Sequence, residues 1–143
     1  MAPLIALIVV TGLSRLAGLL GIDWLDSWPH ATRIGLAAMF LLTASAHFTQ
    51  PKREALIAMV PPAFPNAAAM VTLTGVLEAA GAVGLLLPPV APVAALCLAA
   101  LLIIMFPANI RAARNGGGVK TMPLPARTVV QGVFLAACAL AAF

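Results

Sequence analysis

Residues 67–106 read AAAMVTLTGVLEAAGAVGLLLPPVAPVAALCLAALLIIMF, which is two long apolar runs separated by a proline-rich turn. Each run approaches the roughly 20 apolar residues that a helix needs to cross a bilayer core of about 30 Å. The turn at residues 88–92, PPVAP, is too short for anything except a hairpin between antiparallel helices. This stretch therefore predicts a bundle of membrane-spanning helices.

The composition of the whole chain agrees with this interpretation. Of its 143 residues, 63% are hydrophobic and 8% are charged, whereas a soluble domain has about 25% charged residues. We expect one all-α membrane domain over residues 1–143, built as a compact transmembrane helical bundle with five crossings. The predicted spans are residues 3–22, 31–50, 67–87, 93–110 and 127–143, and residues 52–60 are predicted to form an amphipathic interfacial segment.

The basic residues are concentrated in alternate loops. One side collects Lys52, Arg53, Arg111, Arg114, Lys120 and Arg127, and the other has Arg33. By the positive-inside rule, the amino terminus is expected in the cytoplasm and the carboxyl terminus outside. A four-crossing arrangement, with the first run cleaved or the last one interfacial, is the alternative. Nucleic-acid binding is not expected, because no basic stripe or aromatic platform accompanies the net charge of +4.

Two ionisable residues, Arg15 and Glu78, fall inside predicted spans. Counted from the cytoplasmic ends of their helices at 1.5 Å per residue, they lie about 18 Å and about 15 Å deep. Charges at such depth normally face the bundle interior, and a buried Arg15–Glu78 ion pair is the structural prediction. The functional alternative makes Glu78 a proton relay or a ligand anchor. Gly75 and Gly81 lie close to Glu78, and such small residues let another helix approach closely.

A second polar group is expected toward the cytoplasmic side of the bundle. If the helices that carry these residues adjoin, the side chains line a pocket below Glu78. Alternatively, His47 and Asn109 satisfy backbone groups that Pro51 and Pro107 leave free. The candidate ligand-binding residues are Thr43, His47, Glu78, Asn109, Arg127 and Gln131.

Pro107 has no amide hydrogen, so the fourth span is predicted to kink there and to end near residue 110. Residues 111–127 are then a polar loop. Cys97 and Cys138 lie near the outer ends of their spans, where a disulfide is geometrically conceivable, although inert packing cysteines are the favoured interpretation. The chain has no nucleophile motif and no metal-ligand spacing, so no catalytic residue, metal or cofactor is assigned from it.

Five local motifs occur in order along the chain: AHFTQP at residues 46–51, MVPPAFP at 59–65, TGVLEAAGAVGLLLPP at 74–89, MFPAN at 105–109 and LPARTVVQ at 124–131. Together they resemble the DoxX-like family of small bacterial membrane proteins over about residues 32–143. The resemblance implies a four-helix core in a bacterial cytoplasmic membrane, here with an added amino-terminal helix. It also implies that His47, Glu78, Asn109, Arg127 and Gln131 are the polar positions of the family pattern.

The leading functional hypothesis is a helper protein that binds a small amphipathic ligand, or a partner protein, through an intramembrane pocket. The resemblance suggests an alternative, since relatives in the wider group include a subunit of thiosulfate:quinone oxidoreductase. In that case the chain is a membrane subunit that works with a redox protein and takes quinone as its cofactor. A proton-coupled small-molecule transporter is the weaker alternative, since a single chain offers little room for two alternating states, and a homo-oligomer would supply that room.

Overall fold

The computed structural model describes residues 1–115 and 122–143, and its elements are almost entirely helices. Five of the helices in these ranges are long and apolar enough to cross a membrane, as the sequence predicted. The eight-residue helix α3 corresponds to the predicted interfacial segment. The helices are α1 (Ala2–Leu19), α2 (Trp28–Phe48), α3 (Lys52–Met59), α4 (Ala67–Leu85), α5 (Ala91–Asn115) and α6 (Leu124–Ala142), with a 3₁₀ turn at Asp23–Leu25.

Local sequence explains where several helices begin. Ser27 precedes α2, and its hydroxyl oxygen accepts a hydrogen bond from the backbone N–H of His30. Asn66 precedes α4, and its side-chain oxygen accepts from the N–H of Ala69 at 3.0 Å. Such caps satisfy N–H groups that have no partner inside the helix. Pro125 lies in the first turn of α6, where a missing N–H costs no helical hydrogen bond.

Helix α2 is the centre of the bundle. It packs against α1, α4 and α6, and α5 completes the bundle through contacts with α4 and α6. The largest fully buried side chains come from four helices and include Phe40 of α2, Leu85 of α4, Leu98 of α5 and Cys138 of α6. Helix α3 closes one end, where it contacts α2, α4 and α5. We call this the α3 end and the opposite one the far end.

Helix α1 lies at the edge of the bundle, along α2. A methyl group added to Gly35 of α2 would meet the side chain of Thr11 and the carbonyl of Leu7, so the glycine permits close contact between the two helices. The outward face of α1 is apolar and open, with Ile8 60% exposed and Leu13 61% exposed. Helix α1 therefore packs chiefly against α2, and its Leu7 belongs to the core cluster.

The fourth long helix extends beyond the predicted span, into the predicted polar loop. Helix α5 continues through Pro107 to Asn115, five residues beyond the predicted residue 110. A proline removes one helical hydrogen bond, and a helix packed among neighbours tolerates this loss. Residues 111–115, RAARN, include good helix formers and carry the helix onward. The predicted polar loop is correspondingly shorter, and its residues 116–121 lie outside the described ranges.

Candidate functional site

Glu78 is a buried carboxylate in the middle of α4. Glu78 is 4% exposed, and its carboxylate faces α2. The hydroxyl of Thr43 donates a hydrogen bond to Glu78 Oε2 at 2.7 Å. Gly75 brings the two helices together one turn away, since a methyl group added there would lie 2.6 Å from Cβ of His47. The hydrogen bond between Thr43 and Glu78 therefore lies one turn from a point where α2 and α4 pack closely.

His47 connects this carboxylate to a cavity. Its Nδ1 lies 3.0 Å from the carbonyl oxygen of Thr43 and 3.9 Å from Glu78 Oε2. Because the carbonyl oxygen can only accept, Nδ1 carries the hydrogen in this bond. No hydrogen bond to the other ring nitrogen, Nε2, is found within the part of the chain that the structure describes. The imidazole therefore has one nitrogen committed to its own helix and one available for a ligand.

The cavity lies at the α3 end, below Glu78, between α2, α3, α4 and α5. Its volume is about 200 Å³, and its walls are mostly apolar. Apolar walls with a few placed polar groups are typical of small-molecule sites. Helix α3 and the following loop contribute Leu56, Met59, Val60, Pro61 and Phe64; α4 contributes Met70, Val71 and Thr74; α5 contributes Ile104, Met105, Pro107, Ala108 and Asn109; and His47 is the contribution of α2.

Asn109 is the hydrogen-bonding side chain that α5 contributes to this cavity. Its Oδ1 accepts from Arg127 Nη1 at 3.2 Å, and Arg127 Nε donates to the carbonyl of Met122 at 2.9 Å. Since Arg127 is always a donor, the amide oxygen of Asn109 must face it. The amide nitrogen of Asn109 then remains as a donor. The cavity thus has a histidine nitrogen on one wall and an amide donor on another.

The predicted site residues fall into three positions. His47 and Asn109 line one cavity, whereas Thr43 and Glu78 lie behind His47, and Arg127 lies behind Asn109. Gln131 does not line the cavity; its Nε2 donates to the carbonyl of Leu102 at 2.8 Å and joins α6 to α5.

The backbone-repair alternative for His47 and Asn109 is not what the structure shows. Pro51 leaves the carbonyl of His47 without its helical donor, and Arg53 supplies one from Nη1 at 2.7 Å. Asn109 uses its oxygen, an acceptor, so this bond does not serve a carbonyl freed by Pro107. Both cavity side chains are therefore held by other contacts.

The predicted Arg15–Glu78 ion pair is wrong. Arg15 forms a salt bridge with Asp26 and lies over the ring of Trp28, at the far end of the bundle. Helix α1 packs along α2, which separates it from α4. Equal depth along two helices did not make them neighbours. The partners of Glu78 are Thr43 and His47 instead.

Two arginines that were counted only as loop charges in the sequence form structural hydrogen bonds. Arg53 joins the end of α2 to α4, since its Nη2 also donates to Thr72 Oγ1 at 3.0 Å. Arg33 is buried, and its Nε donates to the carbonyl of Ala141 near the end of α6 at 2.8 Å. A proline four residues after His47 was the available signal for Arg53, because it marks a carbonyl that needs a donor.

The two cysteines are both free. Cys138 is buried in the core, and Cys97 is exposed on α5. The disulfide considered above is therefore absent from the structure of these residues, and Cys138 packs against its neighbours in the core cluster.

Comparison with known proteins identifies one family. A family model described as a domain of unknown function, DUF8561, matches residues 36–142. The match begins within α2 and excludes α1. No curated protein and no solved structure matches the chain.

Proposed function

The chain belongs to the DUF8561 family, and from that premise we propose that it is a multi-pass membrane protein that binds a small amphipathic molecule in the His47–Asn109 cavity. Five long apolar helices support insertion into a bilayer. Large apolar side chains also cover the outside of the bundle, and Ile104 is 73% exposed. In water an apolar surface of this extent would drive association, whereas hydrocarbon solvates it.

The orientation follows from the charges at the two ends. Lys52, Arg53, Arg111, Arg114 and Arg127 belong to the α3 end, whereas Arg15 and Arg33 lie toward the far end. By the positive-inside rule, the α3 end and the amino terminus are cytoplasmic. The cavity then lies in the cytoplasmic half of the bilayer, where an amphipathic molecule enters from the membrane.

The observation that carries the binding proposal is the position of His47. His47 is 4% exposed, and its ring is held by the hydrogen bond from Nδ1 to the carbonyl of Thr43. The ring lines an apolar cavity, and no described residue forms a hydrogen bond with Nε2. Among the described residues, the fully buried side-chain atoms without a partner are Thr11 Oγ1 and Arg15 Nε, so His47 Nε2 is not sealed in the core and a ligand in the cavity can reach it. A ligand hydroxyl that donates to Nε2 would supply its partner, and the Asn109 amide nitrogen would donate to a second ligand atom. The apolar walls would cover its hydrocarbon part.

Binding of monooleoylglycerol tests the proposal. This neutral lipid has hydroxyl groups for His47 and Asn109 and a chain for the apolar walls. We expect His47→Phe and Asn109→Leu each to weaken binding about tenfold, the equivalent of one hydrogen bond of about 1.4 kcal/mol. Titration of the purified protein followed by native mass spectrometry measures the affinity.

A matched control is available at the far end of the bundle. His30→Phe makes the same chemical change at a residue that stacks on Trp24 and does not line the cavity. We expect this variant to bind monooleoylglycerol as the unchanged protein does. Equal affinities for the His47, Asn109 and His30 variants would remove the cavity from the proposal.

The second candidate is a membrane subunit of a quinone-linked oxidoreductase, in keeping with the resemblance to the DoxX-like family. The observation that favours it is the contact between His47 and Glu78 at 3.9 Å, because the imidazole links a buried carboxylate to the cavity. Such a pair can move a proton to or from a ring bound near Nε2. A quinone ring fits the space, since cavities of about 150 Å³ bind benzene.

Extraction with organic solvent separates the two candidates. A quinone-binding subunit prepared from native membranes should yield quinone in proportion to protein, and His47→Phe should lower that yield. A preparation that yields monoacyl lipids and no quinone would contradict the oxidoreductase candidate and favour the first.

A further inference from the structure

Three cavities lie in series along one side of α5, and together we call them the α5 seam. The first contains Arg111 and Arg114 at the α3 end, the second is the His47–Asn109 cavity, and the third is a groove between α4 and α5. Pro61 and Pro107 line both the first and the second cavity. Ile104 lines both the second and the third. Neighbouring cavities of the seam therefore share wall residues.

The end of the seam at Arg111 and Arg114 is cationic. The two side chains are three residues apart on α5, so they project from the same side of the helix. Asn115 adds an amide, and Pro61, Pro107 and Ile110 complete this cavity. No salt bridge to either arginine is found within residues 1–115 and 122–143. Two guanidinium groups that face one cavity without a carboxylate suit a phosphate or carboxylate group.

The other end of the seam is apolar throughout. The groove between α4 and α5 has a volume of about 390 Å³. Ala80 and Ala100 in its walls are small, and Gly81 lets the side chain of Leu98 pack against α4, since a methyl group added at Gly81 would lie 2.5 Å from Leu98 Cδ2. Leu77, Cys97, Leu98, Leu101 and Ile104 are its other residues. A hydrocarbon chain is the chemical group that such a groove accepts.

The dimensions of the seam match a lipid with one chain. From Arg114 to Cys97 the seam follows α5 for seventeen residue-to-residue steps, which at 1.5 Å per step is about 26 Å. Along this length the seam is first cationic, then apolar with the hydrogen-bonding side chains His47, Thr74 and Asn109, then apolar. A lipid with a charged head, a hydroxyl or ester linker and one chain has its groups in the same order.

We propose that the α5 seam binds an anionic single-chain lipid of the lysophosphatidate type. Its phosphate lies at Arg111 and Arg114, its glycerol contacts His47 and Asn109, and its chain occupies the groove beside Gly81 and Ala100. This rests on the proposed function and adds the chemical class of the ligand. The charge of the two arginines selects it over neutral lipids.

Three probes separate the head from the chain. They are oleoyl lysophosphatidate, monooleoylglycerol, which lacks the phosphate, and glycerol phosphate, which lacks the chain. In nanodiscs of zwitterionic phosphatidylcholine, we expect lysophosphatidate to bind at least about tenfold more tightly than monooleoylglycerol. Glycerol phosphate should not bind measurably. Equal affinity for the two lipids would overturn the role of the phosphate, and tight binding of glycerol phosphate alone would identify a site for free phosphate instead.

The double variant Arg111→Gln/Arg114→Gln tests the head position. It should reduce lysophosphatidate affinity to the level of monooleoylglycerol and leave monooleoylglycerol affinity unchanged. Lys52→Gln is the control, because it removes an exposed positive charge at the same end from a residue that does not line the seam. If Lys52→Gln weakens binding as much as the arginine variant, attraction to the surface explains the effect and the site is wrong.

Ala100→Phe tests the chain position. This alanine is exposed in the groove, so the larger side chain fills the groove without entering the core. We expect weaker binding of oleoyl lysophosphatidate and unchanged binding of a hexanoyl analogue, whose chain ends before the groove. Ala136→Phe on α6 is the matched control at another exposed alanine. An unchanged affinity of Ala100→Phe for the oleoyl lipid would overturn the groove assignment.

These outcomes are independent of the test of the proposed function. If monooleoylglycerol binding depends on His47 and Asn109 but the phosphate adds nothing, the proposed function survives and the inference fails. If monooleoylglycerol binding does not depend on those two residues, the proposed function fails, whatever the arginine variants do.

Discussion

The hydroxyl of Thr43 donates to Oε2 of Glu78 at 2.7 Å, across the interface between α2 and α4. The carbonyl of Thr43 accepts from Nδ1 of His47 one turn later. One residue therefore positions both the buried carboxylate and the imidazole that reaches the cavity. The predictions below follow from this arrangement and from the packing around it.

The Thr43–Glu78 hydrogen bond is expected to contribute about 1–3 kcal/mol, because its acceptor is a carboxylate inside the bundle. A double-mutant cycle with Thr43→Val and Glu78→Gln measures this coupling free energy. Reversible unfolding in mixed micelles supplies the four stabilities. Strictly additive effects of the two substitutions would contradict a direct bond.

Gly75→Ala is expected to displace His47 and to weaken ligand binding. The added methyl group would lie 2.6 Å from Cβ of His47 and 3.0 Å from Phe48 Cε2, distances at which the neighbours must move. Since Cβ of His47 is fixed to the backbone, α2 itself has to shift. Binding of monooleoylglycerol should weaken at least about tenfold, as for loss of one hydrogen bond.

Gly132→Ala is the matched control for Gly75→Ala. It makes the same change inside α6, where nothing lies within 4 Å of the added methyl group. We expect normal binding and slightly greater stability, because alanine favours helix over glycine by about 1 kcal/mol. Similar losses of binding in both variants would indicate a general sensitivity of the bundle to alanine substitution.

Arg15→Gln should leave the stability almost unchanged. The arginine side chain is half-buried at 20% exposure, but its partner Asp26 is 50% exposed, and ion pairs open to solvent on one side contribute only about 1 kcal/mol. Its effect should also add to that of Glu78→Gln, since the two residues have no common partner. Non-additive unfolding free energies would instead support the Arg15–Glu78 ion pair that was predicted from the sequence.

Arg53→Gln should destabilise the α3 end. The guanidinium donates to the His47 carbonyl and to Thr72, so its loss leaves the end of α2 without a donor and separates α2 from α4. We expect a loss of about 1–3 kcal/mol. Lys52→Gln, next to it and exposed, should cost little. Thermal unfolding of the two variants compares them, and equal losses would contradict the specific role of Arg53.

The helices could be predicted because apolar runs of membrane length leave few alternatives. Proline-rich turns and the Asn66 cap marked their ends well. Helix α5 was the exception, since Pro107 was given too much weight as a terminator and the helical preference of residues 111–115 too little. Propensity and tertiary contacts decide such cases, and a single sequence contains only the first.

The site was only partly predictable for a related reason. Thr43 and His47 are four residues apart on one helix, so their common face could be read from spacing alone. The helix that faces Thr43 and His47 could not be identified from spacing. Depth in the membrane suggested Arg15 for Glu78, but helix adjacency places α2 between them. For Arg53, Pro51 marks the carbonyl that needs a donor, but the contact with Thr72 of α4 is visible only in three dimensions.

Photocrosslinking tests the central claim, that an amphipathic molecule occupies the His47–Asn109 cavity, most directly. Monooleoylglycerol with a diazirine near its glycerol is bound to the protein in nanodiscs, irradiated, and located by peptide mass spectrometry. We expect the label on residues that line the cavity, chiefly Met59, Met70 and Met105, and loss of that label in His47→Phe. Label confined to the open faces of the bundle, such as Ile8 and Leu13 of α1, and unaffected by His47→Phe would contradict the claim.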